Sequence, residues 1–386
     1  LETALQLTKA IGIACISLAI IYYLFPSLLI GSGVFFVALV FLVLFISLWR
    51  LIYYIVLKNR ILSEKLLIFG SGHLTRQVVN EIMDRPDSGY EIAGVIRQNN
   101  SKIEGLVPSV PLISMNGSLY DLATKLNAKK IVVTMDEKRG ALPTADLLCC
   151  KMKGMTIVEG ETLYEELTGK LFVERLNPSW LIFSEGFRKS PLTRFSKRLT
   201  GSLLAAICII ITLPLALIAM IAIKLDSPGP IFFRQTRLGE DGKTFEMLKF
   251  RSMIHDAEGI SGPRWTSEKD ERITRVGAVL RKYRLDEVPQ MWNVLKGDMS
   301  FVGHRPERPE FVESLARQIP YYCERHTVKP GITGWAQVCY RYGASVDDAL
   351  EKLKYDLFYV KNMSMTFDLL IMLRTIKIVL MQTGAR

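Results

Sequence analysis

Residues 199–223 read LTGSLLAAICIIITLPLALIAMIAI, twenty-five positions without a charge and with Pro214 near the middle. A helix of that length can cross a bilayer core of ~30 Å. Its flanks argue against a simple crossing. Arg188, Lys189, Arg194, Lys197 and Arg198 precede it, and Lys224, Arg234 and Arg237 follow it. A span would put one basic flank outside, against the tendency of Lys and Arg to stay cytoplasmic. It would also place the regions before and after it on opposite sides. Proline removes a helix hydrogen bond and favours a bend. The expected form is a re-entrant helix–break–helix over 199–223 that enters and leaves on the cytoplasmic face, with a plain span as the alternative.

Working outward, residues 10–30 and 34–57 are two more apolar runs, the second interrupted only by Arg50. Pro26 and Gly31-Ser32-Gly33 supply a turn, and Lys9, Lys58 and Arg60 flank the pair. This predicts a transmembrane helical hairpin over 1–60 with both ends cytoplasmic. Residues 61–176 change character. Apolar strands are expected at 65–69, 92–96, 130–134 and 155–158, with helices to about 83 and at 119–126 and 144–152. That alternation predicts an α/β, Rossmann-like parallel sheet. Its turn Gly70-Ser71-Gly72 is followed by Thr75 where a third glycine or alanine would pack, and Val95-Ile96-Arg97 lacks the ribose-binding acid. A regulatory or oligomerisation role, with a homodimer as the expected assembly, suits it better than nucleotide binding. Residues 177–191 read as a linker, with Pro178 and Gly186 as breakers. In 192–386 a β-hairpin is expected around Gly239-Glu240-Asp241-Gly242, with helices at 278–284, 311–319 and 349–360 and an apolar tail at 367–381. Arg374 and Lys377 share one side of that tail, which suits a membrane surface.

Composition narrows the function. Of 386 residues 49% are hydrophobic and 23% charged, which excludes a disordered chain and disfavours an ordinary cytosolic enzyme. The net charge is +11, and +8 of it lies from Arg194 onward, so an anionic partner belongs to the C-terminal half. No aromatic-basic nucleic-acid motif accompanies it, and the apolar runs favour lipid phosphates. The six cysteines include no CxxC, and the four histidines no HxxxH pair, so neither a zinc site nor a disulfide framework is indicated. No Tyr-x-x-x-Lys pair follows Tyr90 or Tyr164, against a nucleotide-sugar epimerase. A non-catalytic membrane scaffold is the remaining alternative to an enzyme.

The densest cluster of charge is Arg281-Lys-Tyr-Arg-Leu-Asp286-Glu287-Val-Pro289-Gln290. It reads as a helix start, with Asp286 near the N-cap and Pro289 in the first turn. Free backbone N–H groups there favour an anion. An ionised carboxylate beside cations that neutralise phosphate is what nucleophilic attack on phosphorus requires. Glu287 could hold Mg²⁺, which favours oxygen ligands. The competing reading is a capping Asp with a solvated Glu. Gly303-His304-Arg305-Pro306 confines an Arg suited to a bidentate phosphate contact. Lys249 and Arg251 end a hairpin strand, facing one way.

Residues 192–386 resemble the catalytic region of the bacterial sugar transferases, the polyprenyl-phosphate glycosyl-1-phosphate transferases. The matching stretches are Lys249-Phe-Arg-Ser-Met253, Arg272-Ile-Thr-Arg-Val-Gly277, Leu285-Asp-Glu-Val-Pro-Gln290, Asn293-Val-Leu-Lys-Gly-Asp-Met-Ser300 and Lys329-Pro-Gly-Ile-Thr-Gly-Trp-Ala-Gln337. The earlier region resembles the larger, exopolysaccharide-type members, which begin with four membrane helices; the two here fit a shortened start. The resemblance implies a mainly helical, monotopic catalytic domain on the bacterial inner membrane. It implies transfer of a sugar 1-phosphate, with glucose or galactose the expected sugar, from a UDP-sugar to undecaprenyl phosphate with Mg²⁺. Asp286 falls on the family nucleophile and Glu287 on its assisting, metal-binding partner. Lys249, Arg305 and Arg341 fall on substrate-phosphate positions, and Asp356 and Asp368 on the late family carboxylates. His304 stands where the family has the first Pro of Pro-Arg-Pro.

Overall fold

The computed structural model describes residues 32–58, 63–97, 110–114, 117–135, 142–173, 186–187, 189–254, 270–340, 343 and 345–381, with isolated positions 18, 22, 23 and 26. The first apolar run, 10–30, otherwise lies outside the described residues. The second is helix α1, Ser32–Lys58. No residue of its central segment Phe36–Tyr53 is buried. At ~1.5 Å per residue it is long enough to span a bilayer, the environment that suits exposed Phe36, Phe41, Phe45 and Trp49.

A five-stranded sheet follows. Strand β1 (Glu64–Phe69) leads to α2 (His73–Asp84), β2 (Tyr90–Arg97), β3 (Leu112–Ser114) and α3 (Leu119–Lys125). Then come β4 (Lys130–Val133), α4 (Thr144–Met152), β5 (Thr156–Glu159) and α5 (Gly160–Thr168). The order is β3-β2-β1-β4-β5 and all pairs are parallel. Period-two alternation explains the two layers. Leu66, Ile68, Val95 and Val132 pack on Val78, Val79 and Leu163 of one face. Leu67, Phe69, Ile96 and Ile131 pack on Leu119, Ala123 and Leu147 of the other. Thr75 takes the place of a small residue by bonding: its Oγ1 lies 2.7 Å from Thr134 Oγ1, and both are fully buried.

The chain after α5 enters the second unit's core. Leu171 and Val173 are buried with Val312, Leu315, Tyr322, Leu353 and Leu357. Leu171 N donates to Lys354 O (3.1 Å), Trp335 Nε1 to Gly169 O (2.8 Å), and Lys361 pairs with Glu165 (2.7 Å).

Helix α6 is Pro191–Asp226, with Ser190 Oγ accepting from Thr193 N and Pro191 opening the first turn. Helical secondary structure runs through Pro214, so the expected helix–break–helix is not divided into two separate helices. Pro214 lies inside one continuous helix of 36 residues, and what it removes is a single backbone donor. Both ends of α6 are anchored on the same unit. Near its start, Arg198 donates to the carbonyls of Val294 and Leu295 (2.6 Å to Leu295), and Ala205 packs on Met247, Val294 and Met299. At its end, Asp226 Oδ2 accepts from Val276 N (3.0 Å), and Ala219 and Ile223 pack on Phe250 and Leu280. Between them Ile210, Ile211, Leu213, Leu217 and Ile218 are exposed.

The expected hairpin is β6 (Phe232–Leu238) against β7 (Thr244–Phe250). Then come α7 (Arg275–Lys282), a 3-10 turn at Leu285–Glu287 and α8 (Gln290–Lys296). Strand β8 (Ser300–Val302), α9 (Pro309–Gln318), a 3-10 segment at Tyr322–Thr327 and β9 (Gly331–Thr333) follow, β8 and β9 pairing in parallel. Three helices close the chain: α10 (Trp335–Cys339), α11 (Val346–Asn362) and α12 (Met365–Met381). Ser345 and Asp348 form a capping box at the start of α11. On α12, Arg374 lies 4.7 Å over the Trp335 ring, so one of the two expected surface cations packs on the protein.

Candidate functional site

Three segments meet at one carboxylate. Strand β7 delivers Lys249, the turn after α7 delivers Asp286 and Glu287, and the loop after β8 delivers Arg305. Arg284 adopts a positive φ of 53°, which ends α7 and starts the 3-10 turn. Asp286 is therefore not a helix N-cap. The following helix, α8, begins one turn later behind Pro289. The loop after β8 lies against Lys329-Pro330-Gly331. A Cβ at Gly303 would collide with Lys329 O, and one at Gly331 with Gly303 N, so only glycine allows this approach.

Glu287 Oε1 accepts from Lys249 Nζ (3.0 Å) and from Arg305 NH2 (2.9 Å), while Arg284 NH1 lies 3.8 Å from Oε2. Asp286 is buried beside this cluster. The adjacent carboxyls are driven apart electrostatically. Burial pushes Glu287 up, but Lys249, Arg305 and Arg284 outweigh it and hold the group well below the ordinary carboxylate range. Burial raises Asp286, with Lys249 counteracting and the Glu287 charge adding to the rise. Burial likewise lowers Lys249, with the Glu287 carboxylate opposing it. Two carboxyls pushed in opposite directions commonly mark two roles.

Four of the expected site residues thus come together: Lys249, Asp286, Glu287 and Arg305. Arg341 lies outside the described residues. Asp356 and Asp368 are buried in ion pairs on α11 and α12. Asp368 Oδ2 accepts from Lys197 Nζ (2.6 Å) and Oδ1 from Tyr359 OH (2.6 Å), and Lys197 also donates to Val302 O (2.8 Å). Asp356 Oδ2 lies 2.8 Å from Arg325 NH2, which donates to Arg305 O (3.0 Å). Both carboxylates therefore hold the Arg305 loop from behind, at Val302 and at Arg305. Arg251 parts from Lys249: it donates to the carbonyls of Ile223 (3.2 Å), Ser227 (2.6 Å) and Pro228 (3.0 Å), capping the C-terminal end of α6. Arg325 and Lys197 carry no sequence signal of these roles, because their partners are distant in the chain.

His304 is buried, its ring 5.1 Å from that of His326 and edge-on to it. Its backbone keeps the loop in place, since Gly331 N donates to His304 O (2.8 Å). Among the described residues no group of three or more His, Cys, Asp or Glu side chains is arranged to hold a metal. With Glu287 Oε1 bridging two cations, the donor set fits Mg²⁺ through Asp286 together with phosphate oxygens and water, not as a cage built by protein alone.

A family model described as bacterial sugar transferase matches residues 192–382. The chain is 42% identical over 237 residues to a UDP-N-acetylgalactosamine-undecaprenyl-phosphate N-acetylgalactosaminephosphotransferase of Aeromonas hydrophila, covering 61% of this chain and 55% of the relative. It is 31% identical over 327 residues to an undecaprenyl-phosphate glucose phosphotransferase of Komagataeibacter xylinus, covering 83% and 59%. It is 41% identical over 182 residues to a UDP-glucose:undecaprenyl-phosphate glucose-1-phosphate transferase of Caulobacter vibrioides, covering 47% and 68%. The chain spans little more than half the length of the first two.

The buried histidines set a pH dependence of stability. Burial, then the Arg325 charge, lowers His326 to about 4 and His304 well below its ordinary value. In the unfolded chain both titrate near ~6.5. Between those values the unfolded chain binds the extra protons, so stability is full above about pH 6.5 and falls as pH drops toward about 4. Thermal unfolding followed from pH 7.5 to 4.5 should show this loss, and His326→Gln should flatten it.

Proposed function

The chain belongs to the bacterial sugar transferase family, and from that premise we propose that it transfers a sugar 1-phosphate from a UDP-sugar to undecaprenyl phosphate, releasing UMP. This is the first membrane step of exopolysaccharide, O-antigen or capsule synthesis. The observation that carries the reading is the Glu287 carboxylate holding Lys249 and Arg305 beside a second, buried carboxylate at Asp286. A diphosphate needs cations, and displacement at phosphorus needs a nucleophile that is poorly solvated and in line.

In the proposed reaction an Asp286 carboxylate oxygen attacks the phosphorus that bears the sugar. The bond from that phosphorus to the UMP oxygen breaks, and its electron pair leaves on UMP. A phosphate oxygen of undecaprenyl phosphate then attacks the same phosphorus and frees Asp286. Lys249 and Arg305 face the phosphate oxygens, and Glu287 keeps both cations gathered before substrate arrives. Asp286 would hold Mg²⁺, with Glu287 a further candidate should Lys249 and Arg305 turn to phosphate, and the ion would supply neutralisation of the diphosphate charge.

Membrane association rests on α1 and α6, both long and apolar enough to cross a bilayer. A re-entrant seating of α6, with the catalytic unit on the cytoplasmic face, is supported by the packing of its ends. Ala205 shares a buried cluster with Met247 and Ala219 one with Phe250, and these two strand residues lie about 10 Å apart. Fourteen residues of straight helix would part Ala205 from Ala219 by about 21 Å, so a bend at Pro214 within continuous helical bonding fits both contacts better than a straight span. Single cysteines at Ser190 and Pro228 should both be labelled by an impermeant reagent from the cytoplasmic side of inverted vesicles. Labelling of the two from opposite sides would refute this seating.

The activity test is direct. Relatives are named for glucose and for N-acetylgalactosamine, so UDP-glucose, UDP-galactose and UDP-N-acetylgalactosamine should each be supplied with Mg²⁺ and undecaprenyl phosphate. At least one should give UMP. Asp286→Asn should lower the rate by about 10³-fold or more. Because burial raises the Asp286 carboxyl, activity should fall on acidification at a higher pH than for a solvated Asp. No UMP from any of the three would count against the reading.

A further inference from the structure

We propose that Arg325 is a positioning residue for this reaction: anchored by Asp356, its guanidinium holds the Arg305 carbonyl and so sets where the Arg305 side chain stands against Glu287 and a substrate phosphate. The inference rests on the transferase reading for its substrate, and on geometry alone for the coupling.

Arg325 is 3% exposed and joins three elements. One nitrogen, NH2, lies 2.8 Å from Asp356 Oδ2 on α11 and donates to Arg305 O at 3.0 Å. NH1 donates to Tyr322 OH at 2.8 Å, and the cation lies 5.2 Å from that ring's centre. A planar guanidinium makes these contacts in one fixed arrangement, whereas an ammonium is a flexible point charge. Asp356 is itself 2% exposed. Burying such a pair sacrifices hydration, and apolar residues of like volume often stabilise a core as well. A purpose at the carbonyl that the pair holds accounts for its presence.

The loop shows what that purpose is. After β8 its backbone is pinned residue by residue. Gly303 N donates to Thr333 O, His304 O accepts from Gly331 N, and Glu307 O accepts from Leu238 N. Arg237 NH1 donates to Pro306 O (3.1 Å). At Arg305 the carbonyl is held by the Arg325 guanidinium at 3.0 Å, with His304 Nδ1 a longer second contact at 3.3 Å. Directly beyond it, the Arg305 guanidinium reaches Glu287 Oε1. A shift of about 1 Å in such a group can cost about 10²-fold in rate. The route from Asp356 through Arg325 and Arg305 to Glu287 ends beside Asp286, and neither Arg325 nor Asp356 itself lies at the reacting carboxylate.

The test is a double-mutant cycle on the full chain. Arg325→Lys keeps a charge opposite Asp356 but cannot hold all three partners. Alone it should lower kcat about 10- to 100-fold with KM for the UDP-sugar within about 3-fold. In an Arg305→Gln background the same change should cost less than about 2-fold, because Arg325 acts through Arg305. Equal losses in both backgrounds, or no loss in the first, would overturn the proposal. A second reading needs no turnover: phenylglyoxal modification of Arg305, followed by peptide mass spectrometry, should speed up in Arg325→Lys. An unchanged rate at Arg305 would also overturn it. Wild-type protein that releases no UMP would sink the transferase reading, while the modification rate still decides the coupling. If Arg325→Lys does not fold, Asp356→Asn leaves the guanidinium, loosens its anchor and is read in the same two ways.

Discussion

One oxygen, Glu287 Oε1, gathers two cations from separate segments, strand β7 and the loop after β8: Lys249 at 3.0 Å and Arg305 at 2.9 Å. Each side chain is useless for this alone. The hairpin β6–β7 must dock on α8, which it does where Asn293 Oδ1 accepts from Leu248 N and its amide donates to Glu246 O. The Arg305 loop must lie against Lys329-Pro330-Gly331. The turn at Arg284 must bend so that Glu287 faces inward and Asp286 is covered. A buried carboxylate with two cations is stable only while all three charges remain together. The cluster therefore makes the local fold and the site the same requirement.

The apolar helix α6 serves this requirement as well as the membrane. Its basic flank is partly spent inside the protein: Lys197 holds Val302 and Asp368, and Arg198 holds the end of α8. Arg251 completes carbonyls at the other end. Charge that looked like a uniform surface for anions divides into two sets. Lys249, Arg281, Arg284 and Arg305 surround the carboxylates, while Lys197, Arg198, Arg251 and Arg325 hold the backbone that presents them. The second set explains how a site of loops and short turns stays rigid, since its loop is fastened at Val302 by one buried pair and at Arg305 by another.

Much of this was legible in the residues. Apolar blocks at Leu66–Phe69 and Ile131–Val133 fill both faces of a sheet, and that pattern announces a buried parallel strand. Strand β3 is three residues long, too short for any period, and α5 begins on a glycine, so neither is announced. The Asp-Glu pair and Arg305 could be picked out by charge and by confined backbone. Their partnership could not, because Lys249 and Glu287 are 38 residues apart. Asp356 and Asp368 show the limit most clearly. By resemblance they fall on the late family carboxylates, while in the structure both are buried, paired with Arg325 and Lys197 behind the loop. Pro214 suggested a break, yet a helix surrounded by apolar side chains loses one hydrogen bond and continues.

The proposed covalent role of Asp286 is the point on which the rest depends. Purified protein mixed with a turned-over UDP-sugar, without undecaprenyl phosphate, should gain the mass of one sugar phosphate. Digestion should locate the adduct on the peptide containing Asp286, and adding undecaprenyl phosphate should remove it. UMP release from protein that stays unmodified through turnover, or an equal adduct on Asp286→Asn, would contradict the account.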